Sequence, residues 1–301
     1  MASSSKINFD LVLRYQKFAE NAKKAATQWK KTGQEMTSIG RDLSFAVSAP
    51  LLLIGKQALE IGKEFDLALA KIKGLSAGKA DLAALESQAR ELGATTIFTA
   101  TSISELQLSL LRLGKTDAEI QQLTPTVLRF AQALDTDLAS AGTFIVQTLN
   151  RMDDSFSSFF STSDAAAFAA EGMAYAVANS ALTVDSLQAS LNYVGSEANA
   201  AGLSFSETTA LLAQLADAGY TGSRAGTQLR RVFTELTKDG VDVSKQFFDI
   251  VKSGYSFEEA LQKVGVRAAG VFSALGGSSE EVLKFSQAIQ ESTGYTEFFA
   301  E

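Results

Sequence analysis

The 301-residue chain contains no cysteine and no histidine. Without cysteine no disulfide forms, and the sequence carries no imprint of a redox compartment. Zinc sites built from Cys and His are excluded, and so is catalysis of the Cys–His or Ser–His–Asp kind. Only two prolines occur, Pro50 and Pro125, so long helices are permitted almost everywhere. Long apolar runs are scarce as well. The most lipid-like stretch, Leu43 to Ile54, is interrupted by Ser44, Ser48 and Pro50 and falls well short of the ~20 residues a membrane-spanning helix requires. It reads as a buried core helix; insertion into a membrane after refolding is the alternative. The opening MASSSKINFD is polar, and no apolar core of a secretory signal follows it.

Basic residues are outnumbered, 27 Lys and Arg against 34 Asp and Glu, for a formal net charge of −7. A dedicated duplex-DNA binder shows a basic stripe and a high pI, so specific nucleic-acid binding is not expected. Basic residues concentrate near the start, at Lys6, Arg14, Lys17, Lys23, Lys24, Lys30 and Lys31. They read as a solvated helix face, or alternatively as an arm that touches DNA, an acidic protein wall or anionic lipid.

The residues that are present favour helix. Hydrophobic residues make up 46% and charged residues 20%, ample for a packed core. Residues 6 to 38 read as an amphipathic helix on Ile7, Leu11, Tyr15, Phe18 and Ala22. Residues 40 to 73 read as a second helical section, kinked or restarted at Pro50. Its buried stripe is Leu51, Ile54, Ala58, Ile61, Phe65, Ala68 and Ile72. Leu51, Leu52 and Leu53 point in three directions, so this helix needs burial all round, within the chain or between copies.

From Ala80 onward, short helices alternate with glycine or Ser/Thr corners. Asp81 caps a helix ending before Gly93. Ser102 caps the next, with Glu105 completing a capping box. Asp117 starts another, and Pro125 fits the first turn of a helix from Thr126 to Leu134. Period-2 alternation is seen only briefly, at Thr95 to Thr101. The expected fold is all-α. Its domains are an N-terminal helical segment over 1–78, a helical core over 79–275, and the start of a helical extension over 276–301.

The core carries an internal repeat. Ser102 to Gly114 aligns without a gap with Thr183 to Gly195, pairing Leu106 with Leu187, Leu110 with Leu191 and Gly114 with Gly195. Two related units, at ~95–150 and ~176–236, are expected to stack as a scaffold. Between them lies a Ser/Phe-rich loop with Phe156, Phe159 and Phe160, read as docking on the core.

No stretch reads as catalytic. Asp153-Asp154 and Glu280-Glu281 are adjacent pairs, and sequence neighbours do not face one another on a helix. The first reads as a cap and the second as charge at a helix start, as does Glu258-Glu259 after Ser256. No enzyme, cofactor or metal is expected. The most informative segment is Gly219-Tyr-Thr-Gly-Ser-Arg-Ala-Gly-Thr-Gln-Leu-Arg-Arg231. It lacks the Lys-Ser/Thr ending and preceding strand of a phosphate loop. A helix ending at Gly219, a tight connection and a new helix opening near Ser223 is the natural reading.

That segment resembles a corner of bacteriophage tail tape-measure proteins, written A-x-x-G-x-x-G-S-x-A-G-T-x-L-R-R, through Gly219, Gly222, Ser223, Arg224 and Gly226. Ile39 to Pro50 followed by Phe65 to Ile72 resembles that family's entry region. Ala89 to Gly93 with Thr95-Thr-Ile-Phe98-Thr-Ala-Thr101 resembles its A-x-x-L-G-x-x-T-x-F-T-A signature. Ala260-Leu-Gln-Lys-Val-Gly265-Val-Arg267-Ala-Ala-Gly270 resembles its A-L-x-x-x-G-x-R-A element. These run in the family's order from roughly residue 39 to 275.

The residues singled out as structural or interaction candidates are therefore Leu51, Leu52, Ile54, Gly93, Phe98, Gly195, Gly219, Gly222, Ser223, Arg224, Gly226, Gly265 and Arg267. The resemblance implies a structural protein of the tail-tube lumen, made in the bacterial cytoplasm, that sets tail length and leaves ahead of the genome at ejection. It implies tail-tube subunits, baseplate or tail-tip hub proteins and tail assembly chaperones as partners. It also implies three or six copies and contact with the host membrane. A membrane-active, pore-forming effector is the alternative. In the family a long helical rod follows the core region, and this chain stops near where that rod would begin. It is expected to be a fragment or to depart from the pattern.

Overall fold

The computed structural model describes residues 62–237, 270–271, 274–275 and 278–298. The basic first helix, the Pro50 kink, Leu51, Leu52, Ile54, the Ser256–Glu259 start signal, Gly265 and Arg267 lie outside the described residues. The chain divides into two compact units, Met1–Lys63 and Glu64–Glu301, and the helices below belong to the second apart from the first residues of α1.

Among the described residues every regular element is helical, so the fold is all-α. Residues 62–75 form α1. It is followed by α2 (Leu82–Thr95), α3 (Ala100–Arg112), α4 (Asp117–Ala133), α5 (Leu138–Arg151), the single turn α6 (Asp153–Phe156) and α7 (Thr162–Ala178). Then come α8 (Val184–Ala200), α9 (Phe205–Asp217), α10 (Gly222–Thr237), α11 (Ser279–Gln290) and the turn α12 (Tyr295–Phe298).

Local chemistry sets most of these boundaries. Thr99, Thr116, Thr183 and Ser204 each open a helix with a reciprocal capping box, closed by Ser102, Glu119, Ser186 and Glu207. Each box satisfies two of the backbone N–H groups that a helix start leaves without partners. Asp81 caps α2 through Ala84 N–H at 3.1 Å. Helix ends are equally regular. α3, α4, α8 and α9 stop at a left-handed residue, respectively Gly114, Asp135, Gly202 and Gly219. The next N–H then reaches back to close the last turn, as from Tyr220 to Leu215 at 2.7 Å.

Several boundaries differ from the sequence reading. α2 runs through Gly93 to Thr95, because Gly93 is needed for a close approach rather than a stop. Ser102 is the third residue of α3's first turn; the cap is Thr99, which takes the Ser102 N–H at 3.1 Å. Pro125 lies in the middle of α4, not in its first turn. Asp153 and Asp154 occupy the first turn of α6, whose cap position is Met152 without a side-chain bond. The Thr95–Thr101 segment is a helix end, a bend and a helix start.

The two segments singled out as related follow one plan: capping box, helix, left-handed stop, second capping box, helix, left-handed stop. The span from Thr99 to Asp135 equals that from Thr183 to Gly219. The internal corner moves by one turn, however. α3 has 13 residues and α4 has 17, whereas α8 has 17 and α9 has 13. The gapless pairing of Gly114 with Gly195 therefore matches a helix stop with a position inside α8.

The core is organised around α7, which packs against α4, α5, α8, α9, α11 and α12. Ala165, Ala166, Ala169, Ala170, Ala174 and Ala176 are buried along it. Small side chains on all faces let a helix sit among so many neighbours. α1 is different: it buries the single stripe Phe65, Ala68 and Ile72 and leaves Leu67 and Leu75 half exposed, at 54% and 53%. Phe65 packs under the Arg90 guanidinium, 4.6 Å from its ring centre. Of the loop phenylalanines, Phe156 is buried and Phe159 partly buried, in a cluster with Phe168 and Phe205. Phe160 is fully exposed, at the rim of an open cleft of about 410 Å³ that Phe156, Phe159 and Lys115 also line.

Candidate functional site

The glycine corner lies between α9 and α10. Gly219 carries φ +84° and ends α9, and Gly222 carries φ +58° where α10 begins. Both conformations favour a residue without Cβ. Neither glycine is crowded: a Cβ at Gly219 or Gly222 would meet no atom within 4 Å. Gly226 is the opposite case. It sits within α10 at ordinary φ, but a Cβ there would lie 2.9 Å from Ser190 Cα and 3.0 Å from the Ser190 carbonyl carbon. The backbones of α8 and α10 touch at this point.

Ser190 completes the joint. Its side chain is fully buried, and its hydroxyl lies 2.8 Å from Gly222 O and 2.7 Å from Ser186 O. The hydroxyl thus bridges its own helix and the first residue of α10. Around the contact, Ala225, Leu229, Val232, Phe233 and Leu236 are buried from α10. On the outer side an Arg230–Glu197 ion pair at 2.7 Å links the two helices. The Asp217 carboxylate takes the Ala181 N–H at 2.7 Å and ties the corner to the entry of α8.

Ser223 and Arg224 face solvent. The Arg224 guanidinium covers the Tyr220 ring at 4.6 Å. On another side the Tyr220 hydroxyl lies 3.2 Å from where a Cβ of Gly270 would stand. The corner thus meets the end of the Ala260–Gly270 element, whose Gly265 and Arg267 lie outside the described residues.

The other candidates sit at different joints. Gly93 allows the start of α3 to press on α2: its Cβ would be 2.6 Å from Ala100 N. Phe98, between the two helices, is partly buried against the core. Gly195 faces α5, with the Arg151 Cβ 3.3 Å from its own missing Cβ. The structure therefore assembles Gly219, Gly222 and Gly226 with Ser190 into one joint, and places Gly93 with Phe98, and Gly195, at two others. Sequence reading took Ser190 and Gln107 only as matched positions of the internal repeat, not as joint residues, since the partner of Ser190, Gly222, is far along the chain; it did not pick out Gln88.

These joints hold helices together and offer little chemistry. Among the described residues no group of three or more acidic, His or Cys side chains is placed to hold a metal. No described helix is long and apolar enough to cross a membrane. Of the groups with a clearly shifted pKa, Glu280 and Lys284 form an exposed ion pair within α11, and Glu119 closes the capping box of α4. Partial burial pushes the Glu119 carboxyl up, but the Thr116 N–H and hydroxyl and the Lys115 ammonium outweigh it, and the net direction is down. The Thr116 N–H lies 2.9 Å and its hydroxyl 2.8 Å from the carboxylate.

The chain is 27% identical over 250 residues to the "Tape measure protein" of Pneumococcus phage Dp-1, covering 83% of this chain and 21% of that protein. It is 29% identical over 210 residues to the "Probable tape measure protein" of Escherichia phage P2, covering 69% of this chain and 25% of that one. The chain thus spans about a fifth to a quarter of the length of these relatives. No solved structure matches it. The family model described as "Phage-related minor tail protein" matches residues 86–269. That span contains the α2–α3 joint, the glycine corner and the proline-bearing helix, and on this match over more than half its length the chain belongs to the phage-related minor tail proteins.

Proposed function

We propose that this chain acts as part of a tape-measure protein in the lumen of a phage tail tube. The observation that carries the reading is the match to two tape-measure relatives over most of the chain. On this reading it assembles in three or six copies, is made in the host cytoplasm with tail assembly chaperones, and meets tube subunits and the baseplate or tail-tip hub. It leaves ahead of the genome at ejection and contacts the host membrane then. Its role is structural rather than catalytic.

The fold divides this labour further. A helix rises 1.5 Å per residue, so an efficient ruler is one uninterrupted helix. The described region is folded back at every corner, and its longest helices among the described residues, of 17 residues, each span only about 25 Å. We assign this body to anchoring and assembly, and length measurement to other parts of the molecule.

Two experiments test this. In a phage carrying this gene, deleting it should abolish tails of uniform length; uniform tails of normal length without it would overturn the tape-measure reading. A helical insertion of about 40 residues at the exposed Gly78–Lys79 turn should leave tail length unchanged in electron micrographs. Lengthening by about 60 Å would show that this region measures.

A further inference from the structure

Pro125 occupies the middle of α4. Proline has no N–H to give to the carbonyl of Gln121, four residues back, and its ring crowds that same carbonyl. Interior prolines of this kind kink or break helices, yet α4 continues from Asp117 to Ala133. The reason is visible at the notch, where three consecutive carbonyls each receive a side-chain donor. The Thr124 hydroxyl reaches Ile120 O at 2.6 Å. Gln88 Nε2 reaches Gln121 O at 2.7 Å. The Ser163 hydroxyl reaches Gln122 O at 3.3 Å.

The middle donor is the one that replaces the missing amide, and it is held from behind. Gln88 projects from α2. Its Oε1 accepts from Gln107 Nε2 of α3 at 3.2 Å, and the same Nε2 donates to Leu85 O at 3.0 Å. Gln107 is completely buried. Both hydrogens of its amide are committed, which fixes the Gln88 amide with its oxygen toward Gln107 and its NH₂ toward α4. Gln107 Oε1 itself finds no donor among the described residues, so the residue's polar contribution here is donation.

We infer that Gln88 is the surrogate donor for the amide that Pro125 lacks, and that the Gln107–Gln88–Gln121 relay braces α4 against hinging at its proline. α2, α3 and α4 then open and close as one unit. If the glutamines merely filled space between helices, their loss would cost the same whatever stood at position 125.

A double-mutant cycle on the 301-residue chain separates the two. Gln88→Met keeps the length of the side chain and removes the donor. It should lower Tm by roughly 3–10 °C and speed amide exchange in 117–133 more than in α5. Pro125→Ala returns an N–H to Gln121 O, and in that background Gln88→Met should cost less than half as much. If Gln88→Met does not fold alone, the same four proteins are compared in a stabilising osmolyte, where the two costs can both be read. An equal loss in both backgrounds, or failure to fold in both, overturns it.

Discussion

Gly222 and Gly226 stand four positions apart and are glycines for different reasons, which a substitution series resolves. Gly222 has a left-handed backbone in open space. Alanine there meets only the conformational cost of positive φ, about 1–2 kcal/mol. Gly226 has ordinary φ but lies against the Ser190 backbone, which cannot swing aside as a side-chain end would. Alanine at 226 must push α8 and α10 apart, at about 2–3 kcal/mol for overpacking, and valine should cost more. Urea denaturation should therefore rank Gly226→Val above Gly226→Ala and both above Gly222→Ala; equal losses at the two positions would contradict the backbone contact. Arg224→Ala should change stability by under about 1 kcal/mol, since the guanidinium covers Tyr220 from an exposed position. The glycines were legible because only a special backbone situation explains three so close together. Ser190 was not, because a helical serine looks the same whether it faces solvent or bridges to Gly222 across a helix joint.

At the scale of elements, the Thr116–Glu119 capping box makes a pH-dependent contribution to stability. In the folded chain the Glu119 carboxyl titrates below its ordinary value, so the unfolded chain binds the proton more tightly. The stability this group lends is complete above the ordinary carboxylate value of about 4.3 and is lost as pH falls through the lower folded value. Glu119→Gln preserves a capping partner but not the charge. It should be less stable than wild type by about 0.5 kcal/mol at pH 7, and the difference should shrink as pH falls below the ordinary carboxylate value. A difference that stays constant from pH 7 to 3 would show that the charge lends nothing.

Helical class and some corners, at Asp81, Asp117 and Gly219, could be read from the sequence, because capping residues and left-handed stops act within a few positions. The cap expected at Ser102 lies three residues earlier, at Thr99, because Thr99 and Ser102 exchange bonds reciprocally. Pro125 was misplaced for a deeper reason: the donor that keeps α4 whole comes from Gln88, and no local pattern announces it. The equal span of the two capped segments shows the same limit. Moving one turn between adjacent helices preserves the plan but breaks a gapless alignment.

For the molecule as a whole, the open question of assembly falls on the apolar segment that leads into α1. Its described part buries Phe65, Ala68 and Ile72 within its own chain and leaves Leu67 half exposed. A single exposed leucine is ordinary at a protein surface, so the case for a meeting face rests on the apolar segment upstream. Leu51, Leu52 and Ile54 upstream, outside the described residues, continue the apolar pattern in the sequence. If copies bundle in the tail, this face is where they meet, and single cysteines report it without background because the chain has none. Cysteine at Leu52, Ile54 or Leu67 should form disulfides between chains when assembled tails are oxidised. Cysteine at Ile72, fully buried in its own chain, should not. Intact tails without interchain cross-links at any of the first three positions would show that this face is covered within one chain. Cross-linking at Ile72 as efficient as at Leu67 would mean that the helix rearranges on assembly.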